Sequence, residues 1–283
     1  HAEEIPGGRV AVRESVVAGQ STIAIGEDMR AGDLVFVRGH RFRGSDVGVL
    51  TGLGQSTVEV FAVPLAAVIA TGDEIVEPEA ELPPGRVRNV NEYLLRALAT
   101  RCGAAVHDYG VLGDDPEVLG RALERGLAEN DVVFVSGGSS KGAKDLTRAA
   151  FEAIPGAEIL FHGIAIAPGK PTLLAKIGGK ALMGVPGNPA AVAVVFTLFG
   201  APLVRTLGGE PLDRILMLRP RVRARLAERI PSAEGRDDFT RVRLEVCDGD
   251  LPVARPTRGK SVALSTIARA DGIVRVPASS AGF

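Results

Sequence analysis

Asp131-Val132-Val133-Phe134-Val135-Ser136-Gly137-Gly138-Ser139 is an apolar run that breaks directly into a glycine- and hydroxyl-rich turn. A short run bounded this way reads as a strand buried on both faces, as in the middle of a parallel sheet. Two further glycine turns follow. Pro168-Gly169-Lys170-Pro171 comes soon after Glu158-Ile159-Leu160-Phe161, and Pro186-Gly187-Asn188-Pro189 follows Ala181-Leu182-Met183-Gly184-Val185. Glycine lets backbone N–H groups turn toward a ligand, and a helix that follows adds its positive end. Three such turns on one edge of one sheet predict a site for a large phosphorylated small molecule.

Working outward, residues 64–209 alternate strand and helix patterns. Leu65 to Ala70 is a continuous apolar run. A helix is expected over Asn91–Arg101, with Leu94, Leu95 and Leu98 on one side and Gly103 just past its end. Ala104 to Leu112 reads as a strand. Asp115-Pro116-Glu117 opens the next helix with a capping carboxylate, proline at the first helical position and acid in the first turn. Leu119, Ala122, Leu123 and Leu127 form its buried stripe. A helix near 145–153, a hairpin pivoting on Gly178-Gly179, and a long apolar helix from Pro189 to Leu207 complete the unit. The fold class expected is α/β: a central, mostly parallel sheet with helices on both faces and ligands outside the carboxyl ends of its strands.

The flanks differ. Between 9 and 62 apolar and polar residues alternate (Val10, Val12; 22–25; 34–37), which predicts short strands, with a helical turn from Ser45 to Leu53 and Ser45 as its N-cap. After Gly208-Gly209, Leu216–Leu226 and Phe239–Val246 alternate with arginines, and Asp248-Gly249-Asp250 suits a hairpin turn. The expected division is a β-rich N-terminal segment (1–63), an α/β domain (64–209) and a small β domain (210–283).

A net charge of −1 over 283 residues gives no pull toward nucleic acid or anionic membranes. Cys102 and Cys247 stand apart, which excludes a disulfide framework and a cysteine-rich zinc site, and the four histidines lack metal-ligand spacing. No apolar run approaches a membrane span and no signal peptide is visible, so the expected setting is cytoplasmic. The chain begins His1-Ala2-Glu3-Glu4 without an initiator methionine, and a missing upstream segment is expected.

Several residues carry chemistry. Ser136 to Gly142 would cradle phosphate, with Ser139 and Ser140 as extra donors; a plain strand-to-helix turn is the alternative. Lys170, fixed between prolines, offers a point charge for phosphate or a solvated surface lysine. Asn188 with Pro189 caps a helix, and an anion site accompanies the cap. Thr71-Gly72-Asp73-Glu74, where the first strand ends, places two carboxylates and a hydroxyl where Mg2+ would bind with substrate oxygens. Asp114, Asp115 and Asp145 lie at comparable strand ends. For Asp115 a helix cap is favoured, and for Asp145 the two readings balance. Gly259-Lys260-Ser261 echoes a P-loop, but Ala254 stands where the first glycine is required. The arginines between Arg219 and Arg243 read as the solvent face of strands.

In order, these motifs resemble the molybdopterin molybdenumtransferase family, which includes the E domain of gephyrin. The resemblance runs through Gly26-Glu27-Asp28, Ala31-Gly32, residues 70–75, Asn89 to Leu95, Gly113 to Pro116, Ser136-Gly137-Gly138 with Gly142 and Asp145, Pro168 to Pro171, Pro186 to Pro189, and Gly235 to Arg241. It implies insertion of molybdate into the dithiolene of adenylylated molybdopterin, with divalent-cation-assisted cleavage of the adenylate. By position, Asp73 and Glu74 match the acidic motif near metal and molybdate, and Asp114 and Asp145 match further acidic active-site positions. Gly137, Gly138, Ser139, Lys170 and Asn188 match the pterin phosphate-binding turns. A homodimer is implied, and the adenylyltransferase of the same pathway is a further expected partner; nucleic acid and membrane are not.

Two departures stand out. Ala167 and Gly163 occupy positions where the family carries basic residues, and Lys141 and Lys144 are the expected compensation. The family's upstream Met-Asp-Gly-Tyr-Ala signature has no counterpart in residues 1–64, which leaves pterin binding without turnover open as an alternative to insertion for the chain as given. Two other readings stay open: a pterin-binding, scaffold-like module, and a molybdopterin adenylyltransferase. The flanking segments, absent from that last relative, stand against it.

Overall fold

Leu65–Thr71 and Val132–Ser136 are adjacent interior strands of the main sheet, and their sequences explain why. Ala66, Ala67, Val68, Ile69, Val133, Phe134 and Val135 are all fully buried, which requires layers on both sides. The structure, a computed structural model, describes residues 2–12, 14–15, 17–137, 146–247, 251–257, 259 and 263–283. The chain forms two units, residues 1–40 and 41–283.

Within the first unit β1 (Ala2–Ile5) and β2 (Arg9–Val12) make an antiparallel hairpin. The strands expected at 22–25 and 34–37 do not form. Ile23, Ile25, Leu34 and Val37 are exposed, and alternation without a neighbouring edge to pair with leaves backbone groups to water.

In the second unit, α1 (Gly44–Gly52) starts one residue before Ser45, and its N-cap is Arg43 rather than Ser45. There the Arg43 N–H donates to the Asp46 carboxylate at 2.8 Å. Then come β3 (Leu65–Thr71), β4 (Ile75–Val76), β5 (Val87–Arg88), α2 (Asn91–Arg101), β6 (Ala105–Leu112), α3 (Pro116–Glu129), β7 (Val132–Ser136), α4 (Leu146–Ala153), β8 (Glu158–His162), β9 (Ile166–Ala167), β10 (Leu173–Ile177) and β11 (Lys180–Val185). A continuous helical run, α5 (Pro189–Val195), a π segment (Phe196–Gly200) and α6 (Ala201–Leu207), leads to α7 (Leu212–Met217).

The sheet order is β6-β3-β7-β11-β10-β8. β6, β3, β7 and β11 pair in parallel, and β10 is antiparallel to both its neighbours, so five of the six strands share a direction. One face is covered by α2 and the Pro189–Leu207 run, through Leu95, Ala99, Val192, Val195, Phe196 and Val204. The other is covered by α3 and α4, through Leu119, Leu123, Leu127, Ala150 and Phe151. Pro189–Leu207 is, against expectation, long and apolar enough to cross a membrane. Half of its apolar window is buried here against the sheet.

The remaining elements are β12 (Arg225–Leu226), β13 (Asp237–Glu245), β14 (Val253–Pro256), α8 (Leu264–Ala268) and β15 (Gly272–Val276). They form a sheet ordered β12-β14-β13-β15 around Ile230, Val242, Ala254 and Val276. The start of β13 also pairs in parallel with β9, Asp237 opposite Ile166 and Asp238 opposite Ala167. This ties the second sheet to the Pro168 turn. The strand expected over Leu216–Leu226 is largely absent. Leu212, Ile215 and Leu216 recur at helical spacing, so α7 forms instead and only Arg225–Leu226 is strand. β13 and β14 pair antiparallel on either side of Asp248-Gly249-Asp250, which lie outside the described residues.

Candidate active site

The sheet register brings the sequence motifs to one edge. Thr71 pairs with Leu112, Ala70 with Ser136, Ser136 with Val185, Gly184 with Leu173, and Leu173 with His162. The residues that follow β3, β6, β7, β8 and β11, and those that precede β10, therefore share the carboxyl edge. Thr71-Gly72-Asp73-Glu74, Gly113-Asp114, Ser136-Gly137, Pro168 to Pro171 and Pro186 to Asn188 all lie there. Gly138, Ser139, Ser140, Lys141, Lys144 and Asp145 lie outside the described residues.

Two of the three turns have a structural reason for their glycine. Gly137 has φ +110°, and a Cβ there would lie 2.0 Å from the Thr71 carbonyl oxygen, so only glycine lets β7 end against the end of β3. Gly169, at φ +125° and buried, packs where a side chain would meet Val195 and Ile166. The Ala167–Pro168 peptide before it is cis. Pro186 is buried, whereas Lys170, Gly187 and Asn188 are exposed. Among the described residues the Lys170 ammonium has no ion-pair partner. Asn188 is the N-cap of α5 through its carbonyl, which accepts from Ala191 and Val192 N–H at 2.9 and 3.0 Å, while its side chain makes no capping bond.

The carboxylates gather around the end of β3. The Asp73 carboxylate accepts from Asp114 N–H at 3.2 Å. A Cβ on Gly72 would lie 2.7 Å from Glu74 Oε2, so the Glu74 carboxylate folds over the glycine. Asp114 is exposed, yet partial desolvation, then the charges of Asp73 and Glu74, hold its carboxyl above the ordinary carboxylate value. Such mutual repulsion is relieved by a cation. No three metal-ligating side chains among the described residues stand together as a ready-made cage. The carboxylates of Asp73, Glu74 and Asp114 are hard oxygen donors, the ligand type that Mg2+ takes together with substrate oxygens. Asp115 does what its sequence position suggests: it caps α3, accepting from Glu117 and Val118 N–H at 2.8 and 3.2 Å.

Three contributors were not singled out by the sequence. Asn91 Nδ2 donates to Ser136 Oγ at 2.8 Å and to the Gly187 carbonyl at 2.7 Å, joining two of the turns. Ser136 itself is buried, its hydroxyl oxygen facing Asn91. Thr147 Oγ1 donates to the Gly137 carbonyl at 3.1 Å, and Thr172 Oγ1 to the Gly169 carbonyl at 2.6 Å. The Asn91 contacts span up to 96 positions, where no local pattern announces them, whereas Thr172 bonds only three residues back. The reading of the C-terminal arginines as a solvent face fails at Arg241: its Nε is buried with no hydrogen-bond partner, and desolvation lowers its pKa.

Comparison with known proteins finds relatives over most of the chain. Residues 67–206 match a family described as a probable molybdopterin binding domain, and residues 223–283 match the MoeA C-terminal region, domain IV. A molybdopterin molybdenumtransferase of Staphylococcus epidermidis is 34% identical over 258 residues, covering 91% of this chain and 60% of its own length. One from Staphylococcus aureus is 32% identical over 259 residues, with the same coverage. The molybdopterin biosynthesis MoeA protein of Pyrococcus horikoshii superposes with a TM-score of 0.78 at 33% identity, over 98% of this chain and 66% of that one. The present chain spans about three-fifths of the length of the curated relatives it matches. With its central domain and its C-terminal region both matched, the chain belongs to the molybdopterin molybdenumtransferase family.

Proposed function

We propose that this chain takes part in molybdenum cofactor biosynthesis by inserting molybdate into adenylylated molybdopterin, with cleavage of the adenylate. The observation that carries the reading is the meeting of three glycine turns and three carboxylates at one sheet edge. Peptide N–H groups and Lys170 suit the phosphates, and Thr71, Gly72, Pro168, Pro186 and Asn188 are the further residues of this edge assigned to the pterin. Asp73 and Glu74, with Asp114 beside them, would hold Mg2+. When bound, the ion offsets negative charge on the phosphoanhydride. Asp145 and the 138–141 segment are assigned to the same site by sequence position alone.

The enzyme would act in the cytoplasm as a homodimer, receiving adenylylated pterin from an adenylyltransferase. The boundaries 1–63, 64–209 and 210–283 are proposed as its segments. A second reading, pterin binding without turnover, is favoured by Ala167 and Gly163, which bring no charge to the Pro168 turn. Incubating the chain with adenylylated molybdopterin and Mg2+ and measuring AMP separates the two. Molybdate-dependent AMP release supports the insertase, whereas tight binding without release leaves the binding module.

A further inference from the structure

The three glycine turns share a feature beyond glycine. In each, the glycine carbonyl is tied down by a side-chain donor: Gly137 by Thr147 Oγ1, Gly169 by Thr172 Oγ1, and Gly187 by Asn91 Nδ2. Thr147 and Thr172 are almost completely buried, at 2% and 0% exposure. A planar trans peptide points its N–H opposite to its C=O. Tying the Gly169 and Gly187 carbonyls inward therefore turns the N–H groups of Lys170 and Asn188 the other way.

Asn91 makes the strongest case. The N-cap of α2 is Val90, which has no side-chain acceptor for the helix, while asparagine, a good capping residue, sits one position later. Asn91 thus gives nothing to its own helix cap. Its Nδ2 carries two hydrogens in one plane, enough to reach Ser136 Oγ and the Gly187 carbonyl together. Aspartate offers no donor, and a serine hydroxyl carries a single hydrogen. The residue thereby links the end of β7 to the turn after β11, at points 51 positions apart that the parallel pairing of β7 and β11 brings together.

We propose that Asn91, Thr147 and Thr172 are positioning residues for the anion site. They hold the three glycine carbonyls away from the ligand, so that a phosphorylated pterin meets N–H groups and not carbonyl oxygens. A carbonyl facing a phosphate would repel it; a fixed N–H attracts it without reorganisation. The inference rests on the pterin reading above, because it assigns these side chains to that site.

The test is titration of molybdopterin into the wild type, Asn91→Asp, Thr172→Val and Thr172→Ser, with urea unfolding of each protein alone. Asn91→Asp keeps the shape of the side chain but puts an oxygen against the Gly187 carbonyl. It should raise Kd by about tenfold or more, the loss expected when a fixed donor becomes a repelling acceptor. Thr172→Val should weaken binding by a smaller factor, since the Thr172 N–H also reaches the Gly169 carbonyl at 3.2 Å. Thr172→Ser, which restores the hydroxyl, should bind as the wild type does. Titration of inorganic phosphate followed by the backbone amide resonance of Asn188 gives a second readout: the shift seen in the wild type should shrink in Asn91→Asp. If Asn91→Asp unfolds, Asn91→Ala carries the same expectations. Variants that lose stability but keep the wild-type Kd and the Asn188 shift would make these residues merely structural and overturn the inference. A wild type that binds no molybdopterin would overturn the pterin reading itself, and this inference with it.

Discussion

Glu92 offers a quantitative test of how the helix that presents Asn91 is held. The side chain is only 2% exposed, accepts from Asn89 Nδ2 at 2.6 Å and lies 3.7 Å from Arg96 Nη1. Arg96 also reaches Asp108 on β6 at 3.1 Å, so two carboxyls share one guanidinium, with Glu77 nearby. Burial first, then the hydrogen bond with Asp108, pushes the Glu92 pKa from 4.5 up to about 7, despite the opposing bond from Asn89. The unfolded chain releases this proton near 4.5, so between 4.5 and 7 the native state binds more protons than the unfolded state. Stability from this group is therefore full below about pH 4.5 and is lost as pH rises through 7. At 1.36 kcal/mol per pH unit, the ionised group costs the fold roughly 3 kcal/mol above pH 7. Glu92→Gln keeps an acceptor for Asn89 and removes the charge. Urea unfolding at pH 4 and pH 8 should give the variant and wild type nearly equal stability at the lower pH. At pH 8 the variant should be more stable by about 2–3 kcal/mol, with an unchanged m value. Equal stabilities at pH 8, or a less stable variant there, would refute the reasoning.

Other substitutions probe the remaining claims. Gly137→Ala puts a Cβ 2.0 Å from the Thr71 carbonyl at φ +110°, so β3 and β7 must part; a loss on the order of 2–4 kcal/mol in urea unfolding is expected. Asp115→Ala removes two capping bonds and should lower stability by about 1 kcal/mol in thermal unfolding, with pterin affinity unchanged. Asp114→Asn should do the opposite: folding stability held or improved, because a repelled carboxylate is neutralised, and Mg2+-dependent binding in calorimetry weakened.

Much of the fold was legible because local and tertiary demands agree. The helix expected near Asn91–Arg101 forms there: its leucines recur on one face, Gly103 follows at φ +99°, and that face meets the sheet. Asp115-Pro116-Glu117 announced α3 for the same reason, since the cap and the first turn are written in neighbouring residues. The flanks were less legible. Ile23, Ile25, Leu34 and Val37 alternate, but alternation becomes a strand only when another edge supplies hydrogen bonds. Leu216–Leu226 alternates with arginines, but its first residues close the helix Leu212–Met217, whose Leu212, Ile215 and Leu216 recur at helical spacing.

The site divides in the same way. Motifs carried by consecutive residues, such as Thr71 to Glu74 or Pro186 to Asn188, stood out in the sequence. Asn91, Thr147 and Thr172 did not, because their roles lie in contacts with carbonyls that only the fold brings near, or in a threonine bond too ordinary to notice. Arg241 was misassigned because arginine in an alternating strand normally faces water, and nothing local marks its burial.

The claim at the centre of this account is that the carboxyl edge of the sheet is one anion-binding site for a phosphorylated pterin. Calorimetric titration of adenylylated molybdopterin with Mg2+ into the chain and into Lys170→Ala tests it most directly. Saturable one-site binding by the wild type is expected, with Lys170→Ala weaker by about tenfold, as for a charge-assisted phosphate contact worth 1.5 kcal/mol or more. Absence of binding, or equal affinity in the two proteins, would contradict it.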